Sequence, residues 1–343
     1  MYVLENVPLS GYSTMRLGGT AAYLTEISAK TEIPEALSWA ESRNLPIIMI
    51  GIGSNIVWRD EGFPGLILVN KISQFDSFEE DATNTYFTIG AGENWDATVA
   101  RTVELGFSGI EQLSLIPGTT GATPVQNVGA YGREISDVLT TVEAYDRNLK
   151  KMVVIPTSDC EFGYRTSRFK TTDKNRFFIT SITLHLTKSN PMPPFYPSLQ
   201  SYLTEKNIHE YTPATIRNAV VAIRQAKLPN PEVIPNNGSF FANPVISQDN
   251  FDILRADYPD IQYWQTATPQ QVKLPAAWLI EKAGFANIKD AETGMSTWAN
   301  QPLVLVNDHA THTADLLKFK QKIVDAVKSK FNIELAQEPE LLP

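Results

Sequence analysis

The sequence contains a single cysteine, Cys160, in 343 residues. That excludes an internal disulfide framework and a cysteine-based zinc site. Histidine is nearly as scarce. There are four, His185, His209, His309 and His312, and only the last two lie close together, as His-Ala-Thr-His, with no carboxylate cluster beside them. A surface or helix-capping role suits that pair better than a metal site, so no metal is expected. Positive charge is also in deficit: 29 Lys plus Arg stand against 38 Asp plus Glu, a formal charge of −9. A chain this acidic is a poor partner for nucleic acid or an anionic membrane, so neither is expected. An anionic small molecule would need a local basic pocket. Nowhere do eighteen apolar residues run together, so no membrane-spanning helix is expected. The opening residues MYVLENVPLSGYSTM lack a basic stretch followed by an apolar run. No signal peptide is therefore expected, and the expected location is cytoplasmic.

What is present fits a soluble globular chain. Apolar residues make up 43% and charged residues 20%, and the length suggests about two domains. The first half is punctuated by glycine. Apolar runs at 45–52 (LPIIMIGI), 65–69 (GLILV) and 86–90 (YFTIG) read as strands. Residues 33–42, with Pro34 early, and 95–105, stopping at Gly106, read as helices. A second series of strands follows in VEAYDR, KMVVIP and FFITSITLHL, between Leu139 and about Thr187. Residues 189–200 (SNPMPPFYPSLQ) carry four prolines and read as a linker or an ordered loop between domains. Beyond it, Thr212 and Pro213 form a helix start, and Ile216, Ala219, Val220 and Ile223 share one face up to Pro229. A helix is expected at 276–283, ending at Gly284, a buried strand at 303–306, and a long amphipathic helix at 313–331.

Two glycine loops are candidates for a phosphate site. One holds Gly51 and Gly53. The other, residues 116–132 (IPGTTGATPVQNVGAYG), holds Gly118, Gly121, Gly129 and Gly132. Glycines with small hydroxylated neighbours let backbone N–H groups converge on an anion. No Gly-Lys-Ser/Thr ending follows, so this is not a triphosphate P-loop, and Gly51-Ile-Gly53-Ser-Asn-Ile does not complete a G-x-G-x-x-G. Either loop alone could be an ordinary tight turn. Together, after strands of one domain, they favour a pyrophosphate-containing ligand. Cys160, in a strand region, reads as a small buried apolar residue rather than a nucleophile. Three further segments stand out: GYRTSRFK (163–170), whose plain reading is a solvated loop; NNGSFFANP (236–244), a turn feeding an apolar strand; and Glu338-Pro-Glu340, a frayed acidic tail.

The ordered set STMRLGGTA, IGIGSNIVW, GAGENW, IPGTTGATPVQNVGAYG, GYRTSRFK, KLPNP, NNGSFFANP, KLPAAWLIEKAGF and EPE is more specific than its parts. It resembles the UDP-N-acetylenolpyruvoylglucosamine reductases, the flavoproteins of bacterial peptidoglycan synthesis, from about residue 10 to residue 340. The resemblance implies an α+β protein: a vanillyl-alcohol-oxidase/PCMH-type FAD-binding fold of two subdomains (1–70 and 71–207, the latter with the Pro-rich loop 189–200) and a C-terminal substrate domain (208–343). It implies non-covalent FAD held by Gly51, Gly53, Ser54, Asn55, Gly118, Gly121, Thr123 and Gly129. NADPH would be the co-substrate and UDP-N-acetylglucosamine enolpyruvate the substrate, with the chain a monomer. In the family's reaction a hydride passes from NADPH to FAD and then to the enolpyruvyl methylene carbon. The α-carbon must then receive a proton.

By the same resemblance, Ser239 is the proton donor and Arg165 faces the carboxylate. Glu340, favoured over Glu338 as the second acid of EPE, is the carboxyl partner. It would be protonated or hydrogen-bond-donating, since a second anion beside an enediolate repels it. The family's usual arginine-bearing continuation is replaced here by Leu-Leu-Pro. Tyr131 matches a tyrosine near flavin and substrate, and Tyr196 the mobile-loop tyrosine of type I enzymes. Lys227, Asn243 and Gln301 match positions that bind the UDP-sugar, with Arg224 adding to the local positive field. Two competing readings are an FAD oxidase acting on a small alcohol and a catalytically silent nucleotide-sugar binding protein. Intact Arg165 and Ser239 count against the second.

Overall fold

The computed structural model describes residues 1–266 and 268–343. They form two compact units. The first comprises Met1–Val7, Ala21–Gly53 and Phe63–Ala226, and the second Pro8–Thr20, Ser54–Gly62 and Lys227–Pro343.

The first unit contains two sheets. One has the order Leu4–Pro8, Thr20–Ile27, Phe63–Asn70, Ile47–Ile50, and its last three strands run parallel. Helix α1 (Glu32–Glu41) covers it, because Ile33, Ala36, Leu37 and Ala40 recur at helical spacing and meet Ile27, Ile47, Leu66 and Leu68 in one core. The other sheet is antiparallel: Lys151–Pro156, Leu139–Asp146, Phe177–Thr187, Asn84–Gly90, Phe75–Glu79. Helix α2 (Trp95–Glu104) packs Trp95, Val99 and Val103 against it. Asn94 caps α2 by accepting from the Ala97 N–H at 2.9 Å. Cys160 is buried beside this core, and burial pushes its thiol up to about 11, as suits a packing residue.

Two further helices complete the unit, α3 (Pro197–Glu205) and α4 (Pro213–Lys227). The Thr212 hydroxyl accepts from the Thr215 N–H at 3.1 Å, the cap its sequence implies. Phe195, Leu199 and Leu203 pack on Ile216, Ala219 and Val220, with Tyr131 beside them. This packing puts the change of unit at Ala226/Lys227 rather than at the expected 207. The proline-rich segment is an ordered loop, anchored by buried Phe195 and leading straight into α3.

The second unit is built around a sheet of order Asn236–Ser239, Gln301–Asn307, Met295–Trp298, Lys289–Asp290. A three-stranded sheet lies elsewhere in it, with α5 (Gln248–Asp257), α6 (Ala276–Lys282) and α7 (Thr313–Phe331). Leu279 and Ile280 of α6 and Leu316, Phe319, Ile323 and Val327 of α7 share one core with Leu303, Leu305, Phe240 and Phe241. His312 occupies the cap position of α7 without a capping bond from its side chain. The Asp60 carboxylate does that work instead, accepting from the N–H groups of Thr313 (2.7 Å) and Ala314 (2.9 Å). Residues 8–20 and 54–62 were expected in the first subdomain, yet belong to this unit. The cause is main-chain pairing: Ile56–Trp58 runs parallel to Glu340–Leu342, and the Asn236 N–H donates to Thr14 at 3.0 Å. Among the described residues no helix is long and apolar enough to cross a membrane.

Candidate active site

In the first unit the two glycine loops meet. A Cβ placed on Gly51 would lie 2.4 Å from Thr119 Oγ1, and one on Gly121 would lie 2.4 Å from Ala91 Cβ. A side chain at Gly121 would force the Ala91 backbone to move, and one at Gly51 would displace the Thr119 side chain. Gly53 and Gly118 adopt φ of 77° and 149°, open to glycine at little strain. The carbonyl of Gly118 accepts from the Trp95 N–H at 3.1 Å, and the Thr120 N–H donates to Glu93 at 2.8 Å. Among the described residues the N–H groups of Gly118 and Thr119 have no protein acceptor. A tight, side-chain-free surface with undirected N–H donors fits the pyrophosphate of a dinucleotide. The Thr123 hydroxyl is spent inside its own turn, donating to Thr120 O at 2.7 Å.

GYRTSRFK is not a solvated loop. The Gly163 and Thr166 main chains bond each other, and Ser167, fully buried, donates its hydroxyl to Val125 O at 2.6 Å. Asn127 Nδ2 donates to Gly163 O at 3.3 Å and to Glu134 at 2.7 Å. These ties bring Arg165 onto the second glycine loop, where its Nη2 donates to Gly129 O at 2.8 Å. Arg165 itself sits at φ 56°, a left-handed conformation that the short turn imposes. Tyr131 follows two residues after Gly129, also left-handed at φ 50°, and its ring meets Tyr196 edge-on at 6.0 Å. Burial pushes both hydroxyls above the usual tyrosine range, while the Arg224 guanidinium beside Tyr131 pulls the other way. Both rings are thus neutral hydrogen-bonding groups at neutral pH.

The second unit holds Ser54, Asn55, Ser239, Asn243, Gln301, Glu340 and, as its first residue of the C-terminal segment, exposed Lys227. Ser239 ends the strand Asn236–Ser239 after a β-bulge. Asn236 stands opposite Val306 and Ser239 opposite Val304, so Asn237 and Gly238 together face Leu305. Gly238 supplies the φ of 68° that the extra residue needs. The bulge puts Ser239 on the face of Val304 and Val306. In unbroken register it would stand opposite Leu303, on the other face, which shares a core with α6 and α7.

The next residues carry the C-terminal segment. Phe240 O accepts from Glu338 N–H at 2.9 Å, and Ala242 N–H donates to Ala336 O at 2.9 Å. The acidic tail is therefore pinned: Glu338 beside Phe240, and Glu340 in register with Ile56. Asn237, which sequence reasoning passed over, ties the same region together. Its Nδ2 donates to Thr14 Oγ1 at 3.1 Å and to the carbonyls of Ser54 and Ile56, each at 3.2 Å. Ser239, Glu340, Ser54 and Asn55 so lie on a shared framework. Asn243 is partly committed elsewhere, its Oδ1 accepting from Ala276 N–H at 2.9 Å to start α6, and Gln301 opens the strand Gln301–Asn307.

Comparison with known proteins sets this geometry in a family. Residues 21–148 match the FAD binding domain family, and residues 229–342 match UDP-N-acetylenolpyruvoylglucosamine reductase, C-terminal domain. The UDP-N-acetylenolpyruvoylglucosamine reductase of Alcanivorax borkumensis is 38% identical over 341 residues, 99% of this chain and 96% of its own. The chain belongs to the UDP-N-acetylenolpyruvoylglucosamine reductase family. The Ralstonia nicotianae member is 37% identical, covering 97% of each chain. The crystal structure of the Thermus caldophilus reductase, at 21% identity, covers all of both chains with a TM-score of 0.68 and shares the fold. As a member of this family the chain is an FAD-dependent oxidoreductase of the α+β class, with an FAD-binding domain followed by the family's C-terminal domain.

Proposed function

We propose that the chain reduces UDP-N-acetylglucosamine enolpyruvate to UDP-N-acetylmuramate in the cytoplasm, with NADPH as reductant. Gly51, Gly53, Ser54, Asn55 and the Gly118–Gly129 loop would hold FAD non-covalently, and when bound it would supply the hydride chemistry of the reduction. Ser239 delivers the proton to the α-carbon. A serine hydroxyl is a weak acid, but the receiving carbon is a strong, carbanion-like base, so the transfer is feasible. Arg165 faces the substrate carboxylate with a planar fork that suits its two oxygens. Glu340 is the carboxyl partner there and contributes a hydrogen bond to the charge that develops. Tyr131, Tyr196, Lys227, Asn243 and Gln301 hold the nucleotide sugar, with Tyr196 on the loop that closes over its diphosphate.

The observation that supports this reading is the bulge at Gly238, which takes Ser239 off the face of Leu303 and Leu305 that shares a core with α6 and α7. Stopped-flow absorbance tests it. NADPH should bleach the flavin of the wild-type protein, and the enolpyruvyl substrate should restore its colour. Ser239→Ala should retain bleaching and lose about a hundredfold or more of the rate of colour return. A variant that loses bleaching and keeps colour return removes Ser239 from the proton-donor role.

A further inference from the structure

Leu115 lies just before the glycine loop and adopts φ 57°, a left-handed conformation that a leucine takes only at a cost. What holds it comes from two helices. The Asp96 carboxylate, in the first turn of α2, accepts from the Leu115 N–H at 2.5 Å. Arg217 of α4 grips the same carboxylate with both terminal nitrogens, at 2.6 and 3.0 Å. Arg224, two turns further along α4, donates its Nε to the Leu115 carbonyl at 3.3 Å. Trp95, beside Asp96, fixes both flanks, with its indole N–H on Leu113 O at 2.9 Å and its main-chain N–H on Gly118 O at 3.1 Å.

We propose that Asp96, braced by Arg217, is a positioning residue that holds Leu115 in its left-handed conformation and so shapes the Pro117–Gly121 loop for the flavin. This rests on the reading of that loop as the pyrophosphate cradle. The geometry argues for positioning and not simply for helix packing. An ion pair that served only to join α2 to α4 would have no need of the Leu115 N–H. Here the carboxylate spends one oxygen on both the guanidinium and that N–H, and the neighbouring arginine takes the matching carbonyl. The N–H and the C=O of this one left-handed residue are thus satisfied by side chains of two helices. Burial alone would raise the Asp96 carboxyl, but the Arg217 guanidinium and the Leu115 N–H outweigh it and hold it below the usual carboxylate range. The charge needed for a strong bond is therefore present at neutral pH.

The test is a double-mutant cycle on the holoenzyme, diluted into flavin-free buffer with free-FAD fluorescence reporting the dissociation constant. Asp96→Asn in the native background should weaken FAD binding about tenfold, the scale of one charge-assisted bond. Leu115→Gly makes the left-handed conformation cheap. In that background Asp96→Asn should cost only about threefold or less, because the restraint is no longer needed. An effect of Asp96→Asn within about twofold of native, or the same factor in both backgrounds, overturns the proposal. If Asp96→Asn does not fold, Arg217→Gln leaves the carboxylate in place but unbraced. It should weaken FAD binding about threefold, and again less beside Leu115→Gly. Gly121→Ala, which drives a methyl group into Ala91, separates the two layers of argument. If it leaves FAD affinity intact, the cradle reading falls. If it abolishes flavin binding while Asp96→Asn does not disturb it, only the positioning proposal falls.

Discussion

The main-chain N–H of Glu340 donates to the carbonyl oxygen of Asn55 at 2.9 Å. That bond opens a parallel pairing in which Leu341 stands opposite Val57 and Leu342 opposite Trp58, and Arg59 N–H closes it on Leu342 O at 3.0 Å. The acid near the chain's end and the Ser54-Asn55 segment are thereby held in one register.

Leu342 is the anchor of this pairing, 7% exposed and next to fully buried Trp58. Leu342→Ala should destabilise the protein by about 2 kcal/mol, the low end for a core leucine because the pairing is only two strands wide. It should also slow flavin reoxidation by the enolpyruvyl substrate while leaving reduction by NADPH unchanged. Denaturant midpoints and stopped-flow traces report the two effects separately. A stability loss with both half-reactions intact would mean that Glu340 does not depend on this register.

Gly238 has φ 68°, and among the described residues nothing beyond its chain neighbours lies within 4 Å of where a Cβ would sit. Space is free there, so only the backbone conformation resists substitution. Gly238→Ala should cost about 1 kcal/mol and lower Tm by about 2 °C. Gly238→Asn should cost less, since asparagine tolerates this region. Both should slow the half-reaction assigned to Ser239, with alanine the worse of the two. If alanine leaves that half-reaction at native speed, the bulge does not aim the hydroxyl.

Local chemistry made much of the fold legible. Helix α7 spans the residues its amphipathic stripe marks, and α4 starts at the Thr212 cap because both signals lie within one turn. The strands of the first unit are recognisable for the same reason: β-branched runs closed by glycine. Partners distant in sequence were not legible. Nothing near Ile56–Trp58 shows that it pairs with residues almost three hundred positions away, so 8–20 and 54–62 read as part of the first subdomain. Asp60 capping α7 and Asp96 gripping Arg217 are likewise ordinary acids until the chain folds. Arg165 reads as one cation of a solvated loop. Its place on Gly129 follows from Ser167 and Asn127 fastening that loop. The ordered motifs named the site residues through resemblance, whereas the bulge that orients Ser239 is a matter of register and φ.

Tyr196 stands at the start of α3, its ring edge-on to Tyr131. Tyr196→Phe keeps that ring contact and removes only the hydroxyl. KM for the enolpyruvyl substrate should rise about tenfold, with flavin content and the rate of bleaching by NADPH unchanged. Equal weakening of flavin and substrate binding would contradict a role in closing over the diphosphate.

Asp146, 1% exposed, accepts from Arg176 at 2.8 Å and from the N–H groups of Asn148 and Leu149 at 2.9 and 3.2 Å. Arg176 also reaches Asp173 at 2.9 Å. The guanidinium outweighs burial and, with the two N–H groups, holds the Asp146 carboxyl below the usual carboxylate range. A carboxyl whose folded pKa is depressed adds stability that is complete above its unfolded pKa, about 4. That stability drains away as pH falls from there through the folded value. Asp146→Asn should therefore destabilise the protein at pH 7 by about 1 kcal/mol, since the Arg176 partner is in contact with solvent, which screens the pair. The gap to the native protein should be constant from pH 7 down to about 5. It should then narrow as both proteins are taken lower, because the native protein loses what the variant already lacks. Urea denaturation of the two proteins across that range measures the gap. A gap that stays constant below pH 4, or widens, would show that the Asp146 charge does not stabilise the fold.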